Sequence, residues 1–205
     1  MAIIVEHEKR KREILAKALD VFTEEGYEDV TFQKIADRCG ITRTTLYIYF
    51  KNKHEIFLWS IKQLTASLER DLLSILSDTK LTAPECLHDI LMKIIDACEE
   101  NKQLFSVILV YLLQIKKSGA DPQELVRRRV LHLRHLLSAV FIRGIRDGEF
   151  KKFQVKEANE LFYSLIESAI FRLAVLNQDS LAETRDILNL AAGALRSPGI
   201  STPKA

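Results

Sequence analysis

Apolar residues recur at steps of three and four along almost the whole chain, and this spacing constrains the fold more than any other feature. Ile14, Ala18 and Phe22 form one i, i+4 row, with Leu15 and Leu19 beside it. Such steps put side chains on one face of a helix, whereas a half-buried strand would need strict alternation. Seven glycines and four prolines in 205 residues leave few interruptions. The expected fold class is all-α, with about nine helices. At 47% hydrophobic residues the chain can fill a core as one large domain or as a small and a larger one.

Start and stop signals divide the pattern. A first helix over about residues 8–25 meets a natural left-handed stop at Gly26. Thr31 is placed to cap a short helix, Phe32 to Arg38, with Val30 and Ile35 in staple positions. That helix stops at Gly40, and Thr42 caps a third one at once, with Ile41 and Leu46 as its staple. Two short helices joined through a glycine make a helix-turn-helix. Asn52 with Glu55 reads as a capping box opening a long helix over 53–77. Thr82 with Glu85, Asp121-Pro122 with Glu124, and Ser180 with Glu183 open helices near 83–100, 122–147 and 181–195. Two more, near 102–117 and 156–176, have weaker starts. The expected division is a small domain over 1–53, a larger one over 54–195, and a disordered polar tail over 196–205.

Several classes drop out. A net charge of +2 excludes a uniformly basic coat, so any nucleic-acid contact must come from local clustering. The longest apolar stretch, Leu104 to Ile115, falls well short of the ~20 residues of a membrane span, and Ala2–Val5 is too short for a signal sequence. A cytoplasmic protein is expected. Cys39, Cys86 and Cys98 are far apart and read as small buried hydrophobes in a reducing compartment. His132 and His135 lie three apart on a helix but lack a third ligand in register, so no metal is expected. There is no glycine-rich phosphate loop, G-x-S-x-G elbow or H-E-x-x-H pair, which argues against an enzyme and leaves no cofactor expected.

The third helix is odd for a core element. Leu46 and Phe50 share a face that must be buried, while the remainder carries Thr42, Arg43, Thr44, Thr45 and Tyr47, all hydrogen-bonding and almost free of acid. Arg43 can fork onto guanine N7 and O6, and a threonine can donate to phosphate or set its methyl against thymine. A helix N-terminus adds free N–H groups and the positive end of the dipole. Tyr47, Tyr49, Lys51 and Lys53 are placed for backbone contacts, and Lys9-Arg10-Lys11-Arg12 adds an electrostatic anchor. Bulk charge decides nothing, since residues 1–53 hold ten basic and nine acidic side chains. Their segregation is more telling: acids gather at 20–29, bases and hydroxyls at 9–12 and 42–53.

Residues 10–58 resemble the DNA-binding domain of the TetR (tetracycline-repressor-like) family of bacterial regulators. The carriers are Gly40 followed by Thr45-Leu46-Tyr47-Ile48-Tyr49-Phe50-Lys51-Asn52-Lys53, with Phe22-Thr23-Glu24-Glu25-Gly26-Tyr27 and Thr31–Ala36 upstream. Tyr49 stands where the family often has histidine. The resemblance implies DNA contacts from Thr31, Gln33, Arg43, Thr44, Thr45, Tyr47, Tyr49 and Lys53. It also implies a ligand-responsive transcription regulator, usually a repressor, on a double-stranded, palindromic operator. The alternative is a helical ligand-sensing or protein-interaction module without specific DNA binding.

By the same resemblance, residues 54–195 should hold a small-molecule effector and form a homodimer through the last two helices, 156–195. The helix at 156–176 is apolar on more than one face, which suits partners on two sides. Trp59, Met92, Phe105, Tyr111, Phe141, Tyr163 and Phe171 are candidate pocket residues. Glu167, a lone acid in an apolar stretch, is another, unless it points at solvent. Arg127-Arg128-Arg129-Arg134 suits a solvated face or an anionic ligand.

Overall fold

The computed structural model describes residues 2–198, and within them the chain forms nine α-helices. These are α1 (Ala2–Glu25), α2 (Phe32–Cys39), α3 (Arg43–Tyr49), α4 (Lys53–Ser77), α5 (Ala83–Glu100), α6 (Lys102–Lys117), α7 (Pro122–Arg146), α8 (Val155–Ala174) and α9 (Ala182–Leu195). The all-α expectation holds. Helix α1 starts several residues earlier than its sequence pattern indicates.

The caps explain most boundaries. Thr31, Thr42, Asn52 and Thr82 each accept from the backbone N–H three residues on, and Thr82 and Glu85 close a full capping box. Helix α9 differs from expectation. Its N-cap is Leu181 rather than Ser180, and the Leu181 N–H donates to the Glu99 carboxylate of α5 at 2.6 Å. The Ser180 hydroxyl accepts from the Ala182 N–H at 3.3 Å, so the tertiary carboxylate adds to the local cap. The start of the tail is not loose either: Arg196 bridges Phe150, and the Ser197 N–H donates to the Glu149 carbonyl at 3.0 Å. Backbone pairing thus corrects the expected disorder at 196 and 197, while 199–205 lie outside the described residues.

Two apolar cores result. The first joins Ile14, Ala18 and Phe22 of α1 to Ile35 and Ala36 of α2, Leu46 and Phe50 around α3, and Ile56, Phe57 and Ile61 of α4. The second is centred on α5 (Leu87, Ile90, Leu91, Ile94) and takes Leu137, Val140 and Phe141 from α7, Phe162, Ile166 and Ala169 from α8, and Leu188 from α9. Helix α4 runs through both, entering the second at Leu72. Helix α6 is a second link. Its Leu104, Val107 and Tyr111 complete the first core, while Phe105 rests on the second.

Candidate nucleic-acid interface

The turn between α2 and α3 depends on Gly40, which adopts φ +67°, a region that any Cβ would strain. It reverses the chain within one residue, so Thr42 can cap α3 immediately. The Thr42 Oγ1 accepts from the Thr45 N–H at 3.1 Å and lies 2.8 Å from the Thr45 hydroxyl. Leu46 and Phe50, both essentially inaccessible, anchor α3 on the first core and turn its other side outward.

That outward side carries Arg43, Thr44, Tyr47 and Ile48, all exposed. Tyr47 stacks on Phe32 (ring centroids 4.5 Å apart), and its hydroxyl accepts from Arg43 Nη2 at 3.1 Å. The guanidinium is therefore held along the helix, over the Tyr47 ring. Half-buried Tyr49 stacks against His7 of α1 at 4.6 Å. Thr31 and Gln33 lie exposed on α2 and its cap, with Gln33 donating to Asp37 at 2.7 Å.

The charges are sorted by side. Lys34 and Arg38 of α2 pair with Glu25 and Glu24 of α1, each at 2.5 Å. The Arg38 hydrogen bonds hold the Glu24 carboxyl below the usual carboxylate range. Glu24 and Glu25 at the end of α1 are thus engaged with α2. Of the basic run on α1, Arg10 pairs with Glu13 at 3.2 Å and Lys11 lies over the Trp59 ring at 4.7 Å.

Lys53 is tied into the domain itself. Its ammonium donates to three backbone carbonyls of the α1–α2 loop: Tyr27 at 2.9 Å, Glu28 at 2.9 Å and Val30 at 3.0 Å. It also lies over the Tyr27 ring at 4.8 Å. Three donors matched to three carbonyls make it a clasp that positions the helix-turn-helix. Ile48 and His7 join this surface without having been expected there. A wheel drawn on Leu46 and Phe50 puts Ile48 outermost, whereas nothing local puts His7 against Tyr49.

The proposed pocket residues do not converge. Trp59 stands at the surface between Lys11 and Lys62, and Tyr111 is buried in the first core with its hydroxyl 2.8 Å from His54 Nδ1. Phe141 fills the second core against Phe153 and Phe162, and Met92 faces Arg185 of α9. Phe105 packs on the second core's edge; Tyr163 lies under Arg134, while Glu167 and Phe171 are exposed. Periodicity identifies apolar faces but not which neighbour each one meets, so it cannot sort candidates from five helices. An indentation of about 250 Å³ opens between α4 and α7, lined by Glu69, Leu73, Leu76, His132, His135 and Leu136. His132 is 2.5 Å from Glu69 there. Among the described residues no group of three His, Cys, Asp or Glu side chains could hold a metal, and no helix is long and apolar enough to cross a membrane.

Comparison with known proteins adds three findings. Residues 14–58 match the family described as "Bacterial regulatory proteins, tetR family". Over 200 residues the chain is 24% identical to the "Fatty acid metabolism regulator protein" of Bacillus subtilis (strain 168), covering 92% of this chain and 99% of that one. Two solved structures share the fold. A TetR transcription regulator from Haloarcula marismortui matches at TM-score 0.78 and 24% identity, covering 93% of this chain and 100% of its own. The transcriptional regulator FadR from Bacillus subtilis, solved in complex with stearoyl-CoA, matches at TM-score 0.71 and 22% identity, covering 90% and 98%.

Proposed function

We propose that this chain, whose residues 14–58 match the tetR family of bacterial regulatory proteins, is a DNA-binding transcription regulator: a cytoplasmic, homodimeric repressor released from a palindromic operator by a long-chain acyl thioester of coenzyme A. Residues 1–53 bind DNA, and residues 54–195 bind the effector and the second subunit. The observation that carries this reading is the outward side of α3, with Arg43, Thr44 and Tyr47 exposed and Glu24 and Glu25 of α1 paired with α2. Two copies of α3 in successive major grooves would be about 34–36 Å apart.

Dimerisation rests on the outer faces of the last two helices. Leu161, Phe171, Ile187 and Leu190 are exposed there, Leu190 by 76%, beside the small Ala191, Gly193 and Ala194. An isologous four-helix interface would cover them. Phe171→Asp combined with Leu190→Asp should yield a folded monomer in analytical ultracentrifugation. Wild-type protein that sediments as a monomer would refute this part.

The effector class follows the full-length relatives concerned with fatty acids, one of them solved with stearoyl-CoA. Both links between the cores offer a route for its action. Helix α4 is common to both, and α6 reaches the helix-turn-helix through Tyr111 to His54 and Gln114 to Glu28. An effector that favours a different α4–α6 arrangement lowers DNA affinity only by its differential affinity for the two states, typically ~1–3 kcal/mol. The test is anisotropy of a labelled operator chosen from random DNA. Stearoyl-CoA should weaken binding by about 5- to 150-fold, with coenzyme A and stearate as controls. Equal effects from all three, or none, would remove the acyl thioester from the proposal.

A further inference from the structure

One exposed side chain on α3 has no role in the hydrogen-bonding account of the interface. Ile48 is 70% exposed, against 49% for Tyr47, on the helix that otherwise presents Arg43, Thr44 and Tyr47. Successive helical residues are turned by about 100°. With Leu46 and Phe50 marking the buried side, Ile48 falls almost directly opposite, and Thr44, one turn earlier, lies on the same ridge. The Arg43–Tyr47 pair flanks this ridge on one side; Thr45 and Tyr49 flank it on the other. Ile48 belongs to neither core.

A lone exposed aliphatic residue is ordinary on a protein surface. This one occupies the centre of a face otherwise made of polar groups, where it would be the first to meet a groove floor. It has no donor or acceptor, so it cannot serve a phosphate or a polar base edge. The apolar feature that the major groove offers is the C5 methyl of thymine. We propose that Ile48 is a specificity-determining residue that reads one thymine of each operator half-site through that methyl group. This rests on the reading of α3 as the recognition helix.

The experiment begins with wild-type protein and selection from random-sequence DNA, followed by replacement of each selected thymine by deoxyuridine, which removes only the methyl. At one position per half-site the wild type should lose about fourfold in affinity, in line with the burial of one methyl group. In Ile48→Ala the same replacement should have no effect, and 5-methylcytosine in place of cytosine there should regain affinity for the wild type alone. Ile48→Val, which keeps the branched β-carbon, should retain part of the penalty. A deoxyuridine penalty that is absent from the wild type, or unchanged in Ile48→Ala, overturns the proposal. Failure of the wild type to enrich any palindrome would overturn the recognition-helix reading first, and this inference with it. Thermal melting of both variants should match the wild type, because Ile48 supports no core.

Discussion

The most informative single substitution is Lys53→Met, which keeps the stem of the side chain and deletes its ammonium. In the structure that ammonium joins α4 to the carbonyls of Tyr27, Glu28 and Val30. A hydrogen bond from a charged donor contributes about 1.5–3 kcal/mol. The carbonyls are only partly buried and can recover some of this from water, so a net loss of about 2–4 kcal/mol is expected from the three together. For a chain of this size about 1 kcal/mol shifts Tm by roughly 2–4 °C, giving a fall of about 5–15 °C. The companion measurement is the slope of log K against log salt for operator binding. A residue that neutralises one phosphate contributes about 0.9 to that slope. Lys53→Met should lower Tm and weaken binding through the loosened domain, yet leave the slope unchanged. A slope reduced by about one, with Tm intact, would mean that the ammonium serves DNA and that the clasp is incidental.

Three further outcomes follow. Arg43→Ala should relax base preference at one operator position, at a cost of about 1–3 kcal/mol on the preferred sequence, measured by selection and competition binding. Gly144→Ala should destabilise the larger core by about 1–3 kcal/mol in urea titration, since a Cβ there would sit 2.6 Å from Phe150 Cε2 and 2.8 Å from the Ala83 Cβ. Burial pushes the Cys98 thiol and the Tyr111 hydroxyl up to about 12, and burial with a hydrogen bond to Glu167 does the same for Tyr163. Each folded value exceeds its unfolded one, so the stability these groups provide is complete below about pH 8.5 for Cys98 and about pH 10 for the tyrosines, and is lost as pH rises toward the folded values. The urea midpoint should therefore decline through this alkaline range, less steeply above pH 10 in Tyr111→Phe. A midpoint that holds constant from about pH 8.5 to about pH 11 would contradict the burial argument.

Much of this protein is determined by the sequence alone, because the relevant physics is local. Helix periodicity needs only neighbours three and four residues away, and caps such as Thr31, Thr42 and Thr82 act within one turn. The glycine turn at Gly40 and the burial of Leu46 and Phe50 are of the same kind, so the helix-turn-helix and the outward side of α3 are legible in the residues themselves. Long-range partners are not. Lys53 reaches a loop some 25 residues back, Glu99 caps a helix more than 80 residues on, and His7 meets Tyr49 across two helices. The scatter of the pocket candidates has the same cause: a helix shows which of its faces is apolar, but only packing decides what that face touches. Tertiary structure alone decides which polar groups around the helix-turn-helix are spent inside the protein and which remain exposed.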